Sequence, residues 1–201
     1  MKNTVHNTSE KQLLTIDHSI MQTIGKFGHI TIVGLCELMP EKRPKNIIYQ
    51  RTKVLSEYGY LEVIIDKRKH KIFRLSQRGI DELAMINVSL RGRSHLQSDL
   101  ARVSWAIDQT GFIETLGLEA QFTTKMLDAV NKGDTPKALI VDNPHLHSAN
   151  TIQRVEDFLK VTSLDAPLDI VTLYKNRADE LYRYLNSNSY GFTVLLSPLD
   201  I

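Results

Sequence analysis

The chain has 201 residues, 42% of them apolar, with a formal net charge of +2. That is the composition of an ordinary globular protein, long enough to bury a core and to hold one large domain or two small ones. It excludes a membrane span, since no apolar stretch approaches the roughly 18 uninterrupted residues of a membrane helix. The opening run "MKNTVHNTSEKQLLT" has no signal-peptide core, so a cytoplasmic location is expected. The single cysteine, Cys36 in "TIVGLCELM", reads as a buried core thiol. The small net charge conceals an asymmetry. Residues 1–94 carry 16 Lys and Arg against 9 Asp and Glu, a balance of +7, whereas residues 95–201 carry 9 against 14, a balance of −5. The basic half is the candidate binder of a polyanion.

In chain order, "LLTIDHSIMQTIGKFG" places Ile16, Ile20, Met21 and Ile24 at helical spacing, with Gly28 as a stop. Thr31 can cap a short helix "IVGLCELM" that Pro40 closes. Pro44 then suits the first turn of a third helix running through "KNIIYQRTKVLSEYG" to Gly59. Two β-rich runs follow, "YLEVIID" and "KIFRLS", joined by Lys67, Arg68, Lys69, His70 and Lys71. "QRGIDELAMI" reads as a helix that packs through Ile80, Leu83 and Ile86.

Three helices followed by a two-stranded hairpin is the order of a winged helix-turn-helix. On that expectation the third helix enters the major groove of double-stranded DNA, and the basic hairpin tip is a wing that meets phosphate. Ile48, Thr52 and Leu55 share one face of the helix and are expected to point inward, leaving Lys45, Asn46, Tyr49, Gln50 and Lys53 outside. Asn and Gln can pair bidentately with adenine, Lys can donate to guanine or phosphate, and Tyr can pack on sugar or a thymine methyl. Lys67, Arg68, Lys69 and Lys71 are the phosphate contacts. His70, surrounded by cations, is expected to be a spectator because like charge disfavours its protonation.

The runs "LLTIDHSIMQTIGKFGHITIVGLCELM", "RTKVLSEYGYLEV", "HKIFRLSQRGIDELA" and "SHLQSDLARVSWAI" resemble the replication-relaxation family of plasmid and mobile-element proteins. The likeness covers about the first half of the chain. It implies a DNA-binding domain followed by an α/β domain that, in the mobilisation relaxases of that family, looks like a metal-dependent nuclease.

The second half also reads as α/β. "HLQSDLARVSWAIDQTG" is a helix with Leu96, Leu100, Val103 and Ile107 on one stripe, and "KALIVDN", "LDIVTLY" and "GFTVLLS" are of buried-strand type. "TIQRVEDFLKV" and "RADELYRYLN" lie between them as helices, which implies a mostly parallel sheet. The boundary falls near "NVSLRGRSH". The expected whole is a mixed α/β chain, with a winged helix-turn-helix over residues 1–94 and a small α/β domain over residues 95–201 that dimerises or holds a protein partner.

Catalysis finds little support in these residues. A restriction-type nuclease needs an Asp at one strand and an acidic-x-Lys pair on the next, so that carboxylates hold a divalent ion and Lys assists the water. The candidates are Asp128 in "MLDAV" and Asp142 in "IVDNP", but position 144 is Pro and not Lys. Asp142 is therefore expected in a turn or cap. His145 and His147 in "NPHLHS" lack the further ligands that a zinc site requires. No cofactor is expected. The reading is a sequence-specific DNA-binding protein, either a transcriptional regulator or an accessory factor in the replication or transfer of a mobile element. It is taken to act as a homodimer, with a relaxase-like nicking enzyme as the alternative. Trp105 is either core or interface.

Overall fold

The computed structural model describes residues 13–84, 90–109, 113–115, 127–131, 137–142, 147–161, 167–186 and 192–196. These residues form a mixed α/β fold with seven α-helices and two sheets. In the first, α1 (Thr15–Phe27) buries Ile20, Met21 and Ile24 and stops where Gly28 turns to φ +87°. The two-residue strand β1 (Ile30–Thr31) leads into α2 (Ile32–Leu38), whose first turn is capped by Gly34 N donating to Thr31 Oγ1 at 3.1 Å. Pro44 stands one position ahead of the first turn of α3 (Lys45–Glu57), where it serves as N-cap and its carbonyl accepts from Ile47 N and Ile48 N. After Gly59 at φ +76°, β2 (Leu61–Ile65) and β3 (Lys71–Leu75) form an antiparallel hairpin registered from Leu61↔Leu75 to Ile65↔Lys71. The sheet order is β1-β3-β2. Ser76 caps α4 (Gln77–Leu83), which buries Ile80 and leaves Leu83 partly covered. Ile86 lies outside the described residues.

The second sheet runs β4 (Ile113–Thr115), β5 (Ala129–Asn131), β6 (Lys137–Val141), β7 (Leu168–Thr172) and β8 (Phe192–Leu196), in that order. Strands β6, β7 and β8 are parallel, and α6 (Ser148–Val161) and α7 (Lys175–Asn186) make the crossovers. Strands β4 and β5 add an antiparallel edge. Alternation sorts the side chains by face. Ala138, Ile140, Leu168 and Ile170 meet Val155, Phe158, Leu181 and Leu185 of the two crossover helices. Leu139, Val141 and Val171 point the other way, toward α5 (Leu96–Ile107).

Helix α5 is the hinge of the architecture. It was expected to carry one apolar stripe, but it is enclosed on nearly every side. Leu96 and Leu100 lie under Ile64 and Ile72 of the hairpin, while Ala101, Val103, Trp105 and Ala106 join a core that also contains Ile20, Ile30, Leu35, Leu139 and Val171. Ile107, placed on the apolar stripe from sequence, is 37% exposed. One continuous core therefore runs across residues 94 and 95. Trp105 is 3% exposed and donates its Nε1 to Asp169 Oδ2 at 2.8 Å, so it belongs to the interior. Cys36 is only half-buried, packed against the core edge, and burial pushes its thiol pKa up. No helix among the described residues is long and apolar enough to cross a membrane.

Candidate nucleic-acid interface

Helix α3 divides its side chains as its spacing requires. Ile48, Thr52 and Leu55 are fully buried, and Arg51 on one flank holds the buried Asp17 carboxylate through two short bonds of 2.7 and 2.5 Å. That ion pair clamps α3 to the start of α1. Lys45, Asn46, Tyr49, Gln50 and Lys53 are all exposed. Asn46, Gln50 and Lys53 lie most directly away from the buried face, whereas Tyr49 leans to the flank that meets the hairpin. Lys53 stands 3.7 Å from Glu57 in an exposed i, i+4 pair.

The hairpin docks on this flank. Lys71 Nζ donates to Tyr49 Oη at 3.2 Å and lies 5.2 Å from the centre of the Tyr49 ring, a cation–π contact between strand and helix. Helix face and hairpin thus present one continuous surface. The other side of the hairpin is occupied by α5, so its outward direction is set by packing.

The tip is a tight turn. Lys69 N donates to Asp66 O at 3.0 Å, Asp66 N donates to His70 O at 3.1 Å, and Lys69 adopts φ +64°. This is a type I turn closed by a left-handed residue, the common three-residue hairpin loop. It fans Lys67, Arg68 and Lys69 into solvent. His70 has a different environment from the expected one: its Nδ1 is 3.1 Å from Asp66 Oδ2, and its backbone N donates to Asp66 Oδ1 at 2.7 Å. Burial raises the Asp66 carboxyl pKa, but the hydrogen bonds from His70 and from the Arg68 backbone outweigh it and hold the group below its ordinary range. His70 therefore braces the turn against a carboxylate.

Two residues of this surface escaped the sequence reading. Ile65 is 64% exposed and Val63 40%, on the sheet face that also carries Lys71. They give the basic face an apolar component suited to sugar or methyl contact. The alternation of "LEVII" held that signal, but three consecutive β-branched residues obscured which of them face outward.

The acidic half places its carboxylates differently from a metal site. Asp142 is 1% exposed and is held by Arg177 through Nε and a terminal nitrogen at 3.0 and 3.1 Å, and by the hydroxyls of Thr151 and Thr172. It joins the ends of β6 and β7 to α6 and α7, and residues 143–146 that would complete the expected turn lie outside the described residues. Asp128 accepts from Arg154 at 2.7 Å and from Val141 N at 2.7 Å, with Arg102 at 3.5 Å. Burial raises its pKa, and the two arginine charges overcome that and lower it. His147 accepts from Ala149 N at 3.2 Å, and His145 lies outside the described residues. Among the described residues no group of three or more His, Cys, Asp or Glu could hold a metal ion.

A buried chain of charge, not anticipated from sequence, crosses α5. His29 donates to Asp99 from its backbone N (3.2 Å), and its ring Nδ1 lies 2.8 Å from the same carboxylate. Arg91 reaches Asp99 at 2.5 Å and Arg102 lies 3.5 Å away, before the chain continues to Asp128. Burial raises the Asp99 pKa, and its bonds from His29 and Arg91, with the nearby arginine charges, more than reverse that.

Comparison with family models, with curated proteins and with solved structures returns no match. The likeness to the replication-relaxation family rests on the quoted residues alone.

Proposed function

We propose that residues 13–84 act as a winged helix-turn-helix that reads double-stranded DNA, with α3 in the major groove and the β2–β3 tip on the phosphate backbone. The observation that carries this reading is the contact of Lys71 with Tyr49, which joins the exposed polar face of α3 to the cationic tip in one surface. A groove and the phosphates beside it demand such a pairing of a helix with flanking cations. The +7 balance of residues 1–94 supports it. The α/β part then serves to bring two copies of the chain onto paired half-sites, in a regulator or in a replication or transfer accessory factor.

The test is duplex binding by the full chain, followed by fluorescence polarisation over a salt series and by sedimentation with and without DNA. Binding that weakens linearly in log–log form with salt is expected, with two protomers on a palindromic selected site. Absence of duplex binding at low salt overturns the reading. A magnesium-dependent nicking assay on supercoiled DNA addresses the relaxase-like alternative. Arginine pairing of Asp128 and Asp142 favours an unchanged substrate.

A further inference from the structure

The sheet face that carries Leu139, Val141 and Val171 is covered by α5 but not to its edge. Alongside the C-terminal half of α5 a cavity of about 340 Å³ opens between that helix and β8, at the lower end of the range for small-molecule sites. Trp105, Val171 and Leu195 form its apolar lining, and Asp169, Lys137 and Asp108 its charged groups. On β8, Thr193 and Leu195 are exposed toward it, whereas Phe192 and Val194 pack on the opposite face.

The charged groups of this cavity sum to a net negative charge. Asp169, 3% exposed, uses Oδ2 to accept from Trp105, with Lys137 Nζ 3.6 Å from that same oxygen. Lys137 thus has a carboxylate within the cavity, and Asp108 adds a second negative charge. Asp108 is also the C-cap of α5, and the last turn of that helix has no basic residue. The negative end of the helix dipole lies beside the cavity, where Gln109 Nε2 donates to Trp105 O at 3.3 Å and no cationic side chain of that turn offsets it. Two carboxylates beside a helix C-terminus, set against one lysine, leave a net negative charge that favours a cation, while indole, Val171 and Leu195 favour an apolar body.

We infer that this cavity binds a small organic amine, its ammonium directed at Asp169 and Asp108 and its apolar part against Trp105 and Leu195. The site lies on the acidic half, away from the α3 face, and does not depend on the DNA reading.

Trp105 is the single tryptophan of the chain, so tryptophan emission comes from a residue that lines this cavity. The probe is phenethylamine, with phenylacetate as a control of matched body and opposite charge, titrated into the full chain in the absence of nucleic acid. A saturable change in Trp105 emission with phenethylamine is expected, with phenylacetate at least about tenfold weaker, as charge complementarity requires. Thr193→Arg, at an exposed strand position, introduces a cation of its own and should abolish the response. Lys137→Met removes the competing ammonium and should tighten amine binding several-fold. A non-saturable response, equal responses to amine and acid, or an unchanged titration in both variants would overturn the assignment.

Discussion

At the scale of single residues, the proposed function gives base reading to the two amides of α3. Asn46 and Gln50 point directly away from the buried Ile48 and Thr52, and each can pair bidentately with adenine. Asn46→Ala or Gln50→Ala should cost about 1–3 kcal/mol on the selected site while leaving random duplex unaffected. Equal loss on both duplexes in a gel-shift titration would contradict that role. Gly28 has a different task. It holds φ +87°, and a Cβ placed there would collide with the Asp99 carboxylate that pairs with His29 and Arg91. Gly28→Ala combines backbone strain with damage to a buried ion network and should destabilise by about 3 kcal/mol or more, read from the denaturant midpoint. The inward face of α3 was legible because Ile48, Thr52 and Leu55 obey helical spacing. The Asp99–Arg102 link was not, because two charges three residues apart read from sequence as a solvated helix pair, and only the packing of both sheets on α5 shows them buried.

At the scale of elements, the hairpin tip combines a geometric strain with a charge. Lys69 occupies the left-handed conformation that a side chain disfavours by about 1–2 kcal/mol, and a turn of this kind ordinarily takes glycine. Lys69→Gly should therefore raise stability by up to about 1 kcal/mol while weakening duplex binding, a separation that a purely structural turn would not show. Changing Lys67 and Arg68 together to Ala should weaken binding on every sequence. It should lower the logarithmic salt slope by about one unit for each lost phosphate contact. A slope identical to that of the parent would remove the tip from the interface. Most elements were readable from caps and periodicity, as Thr31 and Gly59 illustrate. The strands β1, β4 and β5 were not, since two or three residues carry too little alternation to register. Their absence from the reading explains why the antiparallel edge of the larger sheet was unforeseen.

At the scale of the whole molecule, stability should depend on acid in a specific direction. Asp99 and Asp128 are both held below the ordinary carboxyl value of 3.8, so the unfolded chain binds their protons more readily than the folded one. Their contribution is complete above that value and is lost as pH falls through the lower folded values. The contribution of this pair to the unfolding free energy should thus be constant near neutrality and drop below about pH 4, with uptake of about two protons from these sites. Uptake of less than one proton in acid titrations of urea unfolding would contradict it. The enclosure of α5 bears on how such a chain can be recombined. Many DNA-reading heads are portable, joined to their companion units by linkers that any crossover can cut. Here the first helix of the companion unit supplies Val103 and Ala106 to the interior shared with the N-terminal part, and Asp99 to its His29. A chimera that grafts a foreign head onto residues 95–201 inherits a helix shaped for the wrong neighbour. Under the proposed function, exchange of specificity must therefore proceed by substitution on the outer face of α3 and at the hairpin tip, and not by transplanting the head.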